Sequence, residues 1–260
     1  MEIIRSTQNK QVKLWRKLAT KKGRTLQNSY LLDGWHLVKE ALLAQQEIKQ
    51  VLLVPESKYA ERFAALNQDQ LEPILISEEV AKSLSETQSP QGIFAILPIS
   101  QAKVSFAEEK EGAWLLLDAV QDPGNIGTMV RTADAAGFRG VIFGEKTADL
   151  YQPKVVRAMQ GSQFHIKLLE GNLADYIAEM RQQAIPVFGT ELNEAARNYR
   201  QVGQFKSFGL IMGNEGNGMA QTLLKKTTAN LYIPLQGQAE SLNVAVAAGV
   251  LMFQLKQPDV

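Results

Sequence analysis

Two polar side chains, Asn125 and Arg131, follow a short apolar run at residues 114–117. Between the run and Asn125, Pro123-Gly124 suits the middle of a tight turn, where glycine takes a positive φ. Asn125 then stands where a helix N-cap belongs. The apolar residues that follow recur at helical spacing, which leaves Arg131 on the exposed face of the helix. An arginine there is well placed to meet a ligand; an ordinary cap followed by a solvated arginine is the alternative.

A second segment, LIMGNEGNGM at residues 210–219, crowds three glycines at the end of an apolar strand. The backbone there must turn sharply or let another group come close. The spacing lacks the Gly-Lys-Ser/Thr of a phosphate loop, and Glu215 disfavours a bound phosphate. Two interpretations of this segment remain. It forms a pocket for adenosine or another neutral group, or it is a purely structural turn.

A third segment, residues 231–254, contains a strand ending at Pro234, a polar glycine loop and a helix with Ser241 near its cap. Residues 244–250 are small and apolar on nearly every side. Such a helix must be buried all round, against its own sheet or a partner chain. Core packing alone does not account for Ser241 and Asn243 at the mouth of the helix.

The composition excludes several classes of site. The chain of 260 residues is 45% hydrophobic and 21% charged, which is ordinary for a soluble globular protein. It has no cysteine, so disulfides, thiolate metal sites and cysteine nucleophiles are excluded, and its two histidines make a histidine-rich metal site implausible. No apolar stretch reaches the roughly 18 residues of a membrane span, and the charged start is not a secretory signal. We expect a cytoplasmic protein with neither a membrane nor a metal as partner.

Positive charge is concentrated at the N-terminus. The net charge is +1, but residues 1–30 hold eight basic residues and one acid, Glu2. This basic arm is a plausible phosphate-contacting surface. A solvated helix face is an equally good interpretation.

The apolar patterning predicts two α/β domains. The first, residues 1–98, alternates short elements: a helix at 9–22, a turn around 22–24, a strand at 30–33, a helix at 35–43, a strand at 48–54, a helix at 58–66, a strand at 72–76, a helix at 78–84 and a strand at 92–97. Residues 99–111, with their polar residues and charge cluster, are expected to be a linker.

The second domain, residues 112–260, is predicted to hold a mostly parallel sheet with helices on both faces. Its strands are predicted at 114–118, 140–143, 164–169, 186–189, 207–213 and 230–234. Its helices are predicted at 126–137, 153–160, 172–184, 219–226 and 241–256.

Together the three segments resemble the SpoU/TrmH family of RNA ribose 2′-O-methyltransferases, in the SPOUT superfamily. The resemblance rests on Asn125-Ile-Gly-x-x-x-Arg131-Thr-Ala, on Ile211-Met-Gly-Asn-Glu215-Gly and on Ile233-Pro-Leu…Ser241-Leu-Asn243-Val-Ala, which occur in the family's order. It covers roughly residues 112–256. Residues 28–97, with Pro90-Gln91-Gly92, are similar to the family's N-terminal substrate-binding domain, which resembles RNA-binding ribosomal proteins.

The resemblance implies a fold, a cofactor and a set of site residues. It implies a C-terminal SPOUT-type domain with a deep trefoil knot, S-adenosylmethionine as cofactor and a homodimer. The cofactor-binding residues it implies are Thr190, Gly213, Asn214, Gly216, Ile233, Leu235 and Leu242. The catalytic residues it implies are Arg131, Asn125, Glu215, Ser241 and Asn243. The candidate RNA contacts on the basic arm are Lys10, Lys13, Arg16, Lys17 and Arg24.

The same resemblance implies a role for each catalytic residue. Arg131 would act on the ribose 2′-hydroxyl, as an orienting and charge-stabilising donor, because a guanidinium is a hydrogen-bond donor only and does not serve as a base. Asn125 would position the arginine or the ribose, and Glu215 would fix Arg131 or the loop. Ser241 and Asn243 would hold the substrate phosphate or the end of the cofactor.

The expected function is therefore methylation of RNA ribose 2′-hydroxyls, with large-subunit (23S) ribosomal RNA favoured over tRNA. A catalytically idle RNA-binding or ribosome-assembly factor is one alternative, although a pure binder need not keep all five catalytic residues. A SPOUT enzyme that methylates a base nitrogen would lack the motif that carries Arg131. A nucleotide-binding oxidoreductase would need a glycine fingerprint, which Asp122-Pro-Gly-Asn-Ile-Gly is not.

Overall fold

The computed structural model describes residues 2–66, 71–100, 105–106, 111–191 and 196–258. The chain forms two compact units, one of Met1–Ser100 with Tyr151–Phe164 and the other of Gln101–Leu150 with His165–Val260. Residues 151–164 thus pack with the first unit, whereas the sequence patterning placed them in the second domain. No helix in the described ranges is long and apolar enough to cross a bilayer.

Helices and strands alternate along the chain. The helices are α1 (Lys10–Lys17), α2 (Lys21–Gln27), α3 (Trp35–Leu43), α4 (Ala60–Leu66), α5 (Glu78–Leu84), α6 (Pro123–Ala135), α7 (Pro153–Met159), α8 (Leu173–Gln182), α9 (Gln221–Leu224) and α10 (Val244–Leu255). The strands are β1 (Ser29–Asp33), β2 (Gln50–Leu53), β3 (Ile74–Leu75), β4 (Ile93–Pro98), β5 (Ala113–Leu117), β6 (Gly140–Phe143), β7 (Lys167–Glu170), β8 (Val187–Thr190), β9 (Arg197–Asn198), β10 (Phe208–Met212) and β11 (Ala229–Tyr232).

The first unit is built on a four-stranded sheet of order β1-β4-β2-β3. β4 pairs antiparallel with β1 and β2, and β2 pairs parallel with β3. The amphipathic helix α1 contributes Val12 and Trp15 to the core beneath this sheet. The remaining face of α1 is left to its basic residues.

One expected turn in the first unit is a helix. Residues 22–24 lie inside α2, whose N-cap Thr20 accepts a hydrogen bond from the Gly23 amide. A Cβ at Gly23 would stand 1.9 Å from the carbonyl oxygen of Lys17, at the end of α1. The prediction of a turn was wrong because this glycine serves close packing between two short helices.

The second unit is built on a parallel seven-stranded sheet of order β7-β6-β5-β10-β8-β11-β9. All five residues of β5 are buried, as expected for a central parallel strand covered on both faces. This confirms the α/β class expected from the sequence.

Part of the expected linker belongs to the core of the second unit. Phe106 is fully buried and packs edge-on against Trp114 at 5.3 Å between ring centroids. Burial of an aromatic ring is strongly favourable, which explains why this residue docks. Residues 101–104 and 107–110 of the expected linker lie outside the described ranges.

Candidate active site

Four strands of the second unit end at the same edge of the sheet. Met212, the last residue of β10, is level with Leu117 of β5, and Leu231 of β11 is level with Thr190 of β8. The carboxyl ends of parallel strands are where open α/β sheets bind ligands. The loops that carry the three sequence motifs all leave from this edge.

The turn after β5 places Asn125 inside the first turn of α6. The N-cap is Asp122, whose carboxylate accepts from the Asn125 amide at 2.7 Å, and Pro123 occupies the first helical position. The expected N-cap at Asn125 was therefore wrong. An aspartate directly before a proline is a recognised signature of a helix start, and it was available in the sequence. Since Asp122 caps the helix, the side chain of Asn125 is available for other partners.

Those partners come from the other two motifs. The Nδ2 group of Asn125 donates to Glu215 at 3.2 Å, and its Oδ1 accepts from Nδ2 of Asn243 at 3.0 Å. Glu215 also accepts from the backbone amides of Gln121 at 3.3 Å and Asp122 at 3.2 Å. Glu215 thus fixes the turn after β5.

Asn243 ends this chain of hydrogen bonds at the start of α10. Its Oδ1 accepts from the amides of Ala245 at 2.9 Å and Val246 at 3.3 Å, so Asn243 is the N-cap. The sequence prediction placed Ser241 near the cap and started the helix at residue 241. Ser241 instead lies in the exposed loop before the helix, because the asparagine two residues later supplies the capping oxygen.

The carboxylate of Glu215 is held in its charged form. Partial burial opposes ionisation, but hydrogen bonds from its own backbone amide, Asn125, Asp122 and Gln121 outweigh burial. The pKa of Glu215 therefore lies below its usual value. A carboxylate at this position can only accept hydrogen bonds, which fixes the orientation of the Asn125 amide.

A cavity of about 520 Å³ opens beside this network, within the range of small-molecule and cofactor sites. Six of the seven expected cofactor-binding residues line it: Thr190, Gly213, Asn214, Ile233, Leu235 and Leu242. Gly216 does not, and its amide donates to Oδ1 of Asn214 at 3.0 Å. Glu215, Ser241 and Asn243 also line the cavity.

The charge of the cavity suits a cationic ligand. Glu191, Glu215 and Glu240 contribute to its lining, and no lysine or arginine does so among the described residues. A phosphate-bearing cofactor would be repelled, whereas the sulfonium and ammonium groups of S-adenosylmethionine are attracted. Close backbone packing shapes one wall, since a Cβ at Gly213 would stand 2.4 Å from the backbone of Gly218 and Met219. The residues present therefore fit this cofactor.

Arg131 lies on the exposed face of α6, outside the cavity lining. It follows Asn125 by six residues, about 9 Å along the helix axis. No described residue forms a hydrogen bond or an ion pair with its guanidinium. The suggested contact between Glu215 and Arg131 is absent from the described residues, because the carboxylate is taken up by Asn125 and the turn.

Two further polar residues of this edge were missed in the sequence. Asp118, directly after β5, accepts from the Ala220 amide at 2.7 Å and so anchors the glycine-rich loop. Asp122 caps α6. Asp118 carries no local signal because its partner lies in a distant loop, but Asp122 could have been found from the proline that follows it.

The candidate RNA contacts lie on the first unit. Lys10, Lys13, Arg16 and Lys17 are exposed on α1. Arg24 is only 3% exposed, and its guanidinium donates to the carbonyl of Leu18 at 2.9 Å. Arg24 is thereby corrected from an RNA contact to a structural residue that satisfies the end of α1.

A parallel sheet with a cofactor-sized acidic cavity at its carboxyl edge is the architecture of an α/β protein that binds a small ligand. Residues 112–253 match the SpoU rRNA Methylase family, and residues 9–95 match the MRM3-like substrate binding domain. The chain belongs to the SpoU rRNA methylase family. The resemblance seen in the sequence is thus confirmed.

Individual relatives cover nearly the whole chain. The 23S rRNA (guanosine(2553)-2′-O)-methyltransferase RlmP of Bacillus subtilis is 44% identical over 98% of this chain and 100% of its own length. An AdoMet-bound rRNA methyltransferase from Sinorhizobium meliloti is 32% identical, with a TM-score of 0.86 over 97% of this chain and 96% of its own. The AdoMet complex of AviRb from Streptomyces viridochromogenes is 25% identical, with a TM-score of 0.83 over 95% of this chain and 97% of its own.

Proposed function

We propose that this protein methylates the 2′-hydroxyl of a ribose in 23S ribosomal RNA, using S-adenosylmethionine. The observation that carries the proposal is the linkage of Asn125, Glu215 and Asn243 at the mouth of an acidic cavity, with Arg131 exposed on the same helix as Asn125. The full-length identity to RlmP supports the choice of RNA and makes the guanosine at position 2553 the first target to test.

The chemistry asks for positioning and for stabilisation of charge. When bound, the cofactor supplies an activated methyl group. Arg131 donates hydrogen bonds to the ribose oxygen as negative charge develops on it, and the proton of the 2′-hydroxyl leaves to solvent because a guanidinium does not accept it. Asn125 and Glu215 hold the turn from which α6, and so Arg131, projects.

The cavity residues hold the cofactor. The backbone around Gly213, Ile233, Leu235 and Leu242 would hold its adenosine and methionine parts, and Glu191 and Glu240 would balance its positive charge. All six residues line the cavity. Thr190 forms part of the wall, where its hydroxyl donates to the carbonyl of Ile211 at 3.1 Å. Asn214 keeps the loop in place by donating to the carbonyl of Ala119 at 2.9 Å.

The first unit binds the RNA backbone through α1. Lys10, Lys13 and Lys17 recur at the spacing of one helix face and are all exposed. Arg16 adds a fourth exposed cation. Such contacts give sequence-independent, salt-sensitive affinity. We assign substrate binding to residues 1–98 and catalysis to residues 112–260.

The second unit forms a homodimer through α10. Val246 is 54% exposed and Phe253 is 60% exposed, seven residues apart and so on one face. The sequence required this helix to be buried all round, and a second copy would cover the face that the chain itself leaves open. A two-fold axis would place the same face of each copy in contact. The trefoil knot stays a prediction. A cytoplasmic location also stays a prediction, and we expect it because ribosomal RNA is found in the cytoplasm.

The decisive experiment offers tritiated S-adenosylmethionine with 23S rRNA and with tRNA from cells that lack the protein. The label should enter 23S rRNA as an alkali-resistant dinucleotide, and it should disappear with Arg131→Ala. Label in tRNA instead would identify a tRNA ribose methyltransferase. Cofactor binding without transfer to free 23S rRNA or to assembled ribosomal particles would favour the idle assembly factor.

A further inference from the structure

Three loops meet at one end of the sheet in the first unit. They follow β1, follow β2 and precede β4. The amide of Trp35 donates to Oε1 of Gln91 at 2.7 Å, and the hydroxyl of Ser57 donates to the carbonyl of Gln91 at 2.8 Å. Gly34 and Gly92 have positive φ values of 102° and 74°, a conformation that other residues rarely adopt. These contacts hold the three loops in a fixed arrangement.

An aromatic pair lies on this arrangement. The rings of Trp35 and Tyr59 are stacked, with centroids 5.8 Å apart and an angle of 15° between their planes. Tyr59 is buried, whereas Trp35 is half-buried. The other two tryptophans, Trp15 and Trp114, are both buried in the cores. Trp35 is thus the tryptophan that keeps some surface exposure, and its ring is supported by Tyr59.

Two exposed cations lie by the Tyr59 ring of this stack. Nζ of Lys58 lies 5.2 Å from the centroid of the Tyr59 ring, and Cζ of Arg62 lies 5.7 Å from it. Glu61 neighbours Arg62 in α4 but lies about 100° away around the helix, because an α-helix has 3.6 residues per turn. Aromatic faces with adjacent lysine or arginine are how proteins hold unpaired nucleotides.

We propose that Trp35, supported by Tyr59, is a stacking platform for an unpaired base of the RNA substrate, and that Lys58 and Arg62 contact its phosphates. The inference rests on the proposed function, which makes RNA the substrate. It adds selectivity for unpaired RNA, which the basic face of α1 does not provide. Every base has a π-face, so the platform recognises an unpaired nucleotide rather than a particular sequence.

The test measures binding without S-adenosylmethionine, with two probes: an RNA hairpin with an unpaired loop, and an RNA duplex with the same number of phosphates. Because Trp35 is the tryptophan with surface exposure, stacking should quench its fluorescence with the hairpin and not with the duplex. Trp35→Ala should weaken hairpin binding about tenfold to a hundredfold. It should leave duplex binding nearly unchanged.

Matched variants separate stacking from folding. Trp35→Phe retains an aromatic ring and should keep most of the affinity for the hairpin. Leu26→Ala removes a more exposed apolar side chain of the same unit and should change neither probe. Arg62→Gln should weaken both probes and lower the salt dependence of binding by about one counterion. Unchanged duplex binding by Trp35→Ala would show that the unit is still folded.

The platform is overturned if Trp35→Ala binds the hairpin like the wild type, or if the hairpin leaves the fluorescence unchanged. A wild-type protein that methylates 23S rRNA while its hairpin binding ignores Trp35 would overturn the platform alone. A protein whose hairpin binding depends on Trp35 but which transfers no methyl group would overturn the proposed function alone.

Discussion

Asn243 donates a hydrogen bond to Asn125 at 3.0 Å, across 118 residues of chain. The groups at the two ends of this network fix the direction of every hydrogen bond in it. Glu215 can only accept and the amides at the start of α10 can only donate, so each asparagine amide has one satisfying orientation. The three motifs thereby hold one another in place before any ligand binds, which is the arrangement that catalysis by positioning requires.

The first prediction concerns this pair. Asn125→Ala removes one hydrogen-bond partner from Glu215 and the acceptor of Nδ2 of Asn243. It should lower the free energy of unfolding of the second unit by about 0.5–1.5 kcal/mol. Asn243→Ala also removes a helix cap. The double variant should be less destabilised than the sum, with a coupling of about 0.5–3 kcal/mol in urea unfolding.

Asn172→Ala is the matched control for the cap. Asn172 is the N-cap of α8, where its side chain accepts from the Ala174 amide, and it takes no part in the network. Its loss should cost about 1 kcal/mol. It should be additive with Asn125→Ala. Additivity between Asn125→Ala and Asn243→Ala would contradict the proposed linkage.

The second prediction concerns Arg131. Because its guanidinium is exposed and has no partner among the described residues, Arg131→Ala should change the free energy of unfolding by no more than about 0.5 kcal/mol. Loss of a donor to the developing charge should lower kcat by about a hundredfold to a thousandfold. Cofactor affinity measured by calorimetry should be unchanged, since Arg131 does not line the cavity.

Arg131→Lys distinguishes charge from geometry. Lysine keeps the positive charge but loses the planar fork of donors. An intermediate kcat would support a donor that both orients and stabilises the ribose oxygen. Wild-type kcat in Arg131→Ala would remove Arg131 from the catalytic machinery.

The third prediction concerns the cavity wall. A methyl group at Gly213 would overlap the backbone of Gly218 and Met219 at 2.4 Å, so Gly213→Ala must displace the loop. We expect weaker S-adenosylmethionine binding, measured by calorimetry. Gly237→Ala is the control, since a Cβ there meets nothing within 4 Å. Equal affinity in the two variants would show that the wall does not contact the cofactor.

The sequence located the chemistry better than it located the local geometry. The three motifs could be placed at strand ends because buried parallel strands such as β5 read as continuous apolar runs. The segments that line the cavity could then be predicted, because they are the loops that leave those strand ends. Asn125 and Ser241 were assigned to caps that belong to Asp122 and Asn243, because several residues in each turn had a capping side chain.

The remaining differences have a common cause in tertiary contacts. Gly23 suggests a turn by itself, and the packing of α2 on the end of α1 decides otherwise. The charge of Arg24 suggests a contact with RNA, but its guanidinium is buried and donates a hydrogen bond to the carbonyl of Leu18. Phe106 stands in a polar stretch, yet it docks on Trp114. Each partner is six to eight residues away in the sequence, which is beyond the spacings that helical or strand periodicity relates.

The fourth prediction concerns pH. The pKa of Glu215 is lowered in the folded protein, so its hydrogen bonds stabilise the fold above the unfolded value of 4.5, and this contribution is lost as the pH falls through the folded pKa. Glu215→Gln should therefore be less stable than the wild type near neutral pH, and the two should converge once the pH has fallen below the folded pKa of Glu215. Urea unfolding across the pH range measures this difference. A gap between Glu215→Gln and the wild type that stays constant across the pH range would contradict the assignment.

The fifth prediction concerns the exposed face of α10. Val246→Glu and Phe253→Glu would each bury a charge in the proposed dimer interface, which is unfavourable without a partner. Sedimentation equilibrium should give a dimer for the wild type and a monomer for either variant, with little change in the fold. Leu26→Glu is the control, because Leu26 is 76% exposed and belongs to the first unit. If Leu26→Glu gave the monomer and the α10 variants remained dimeric, the interface would lie on the first unit instead.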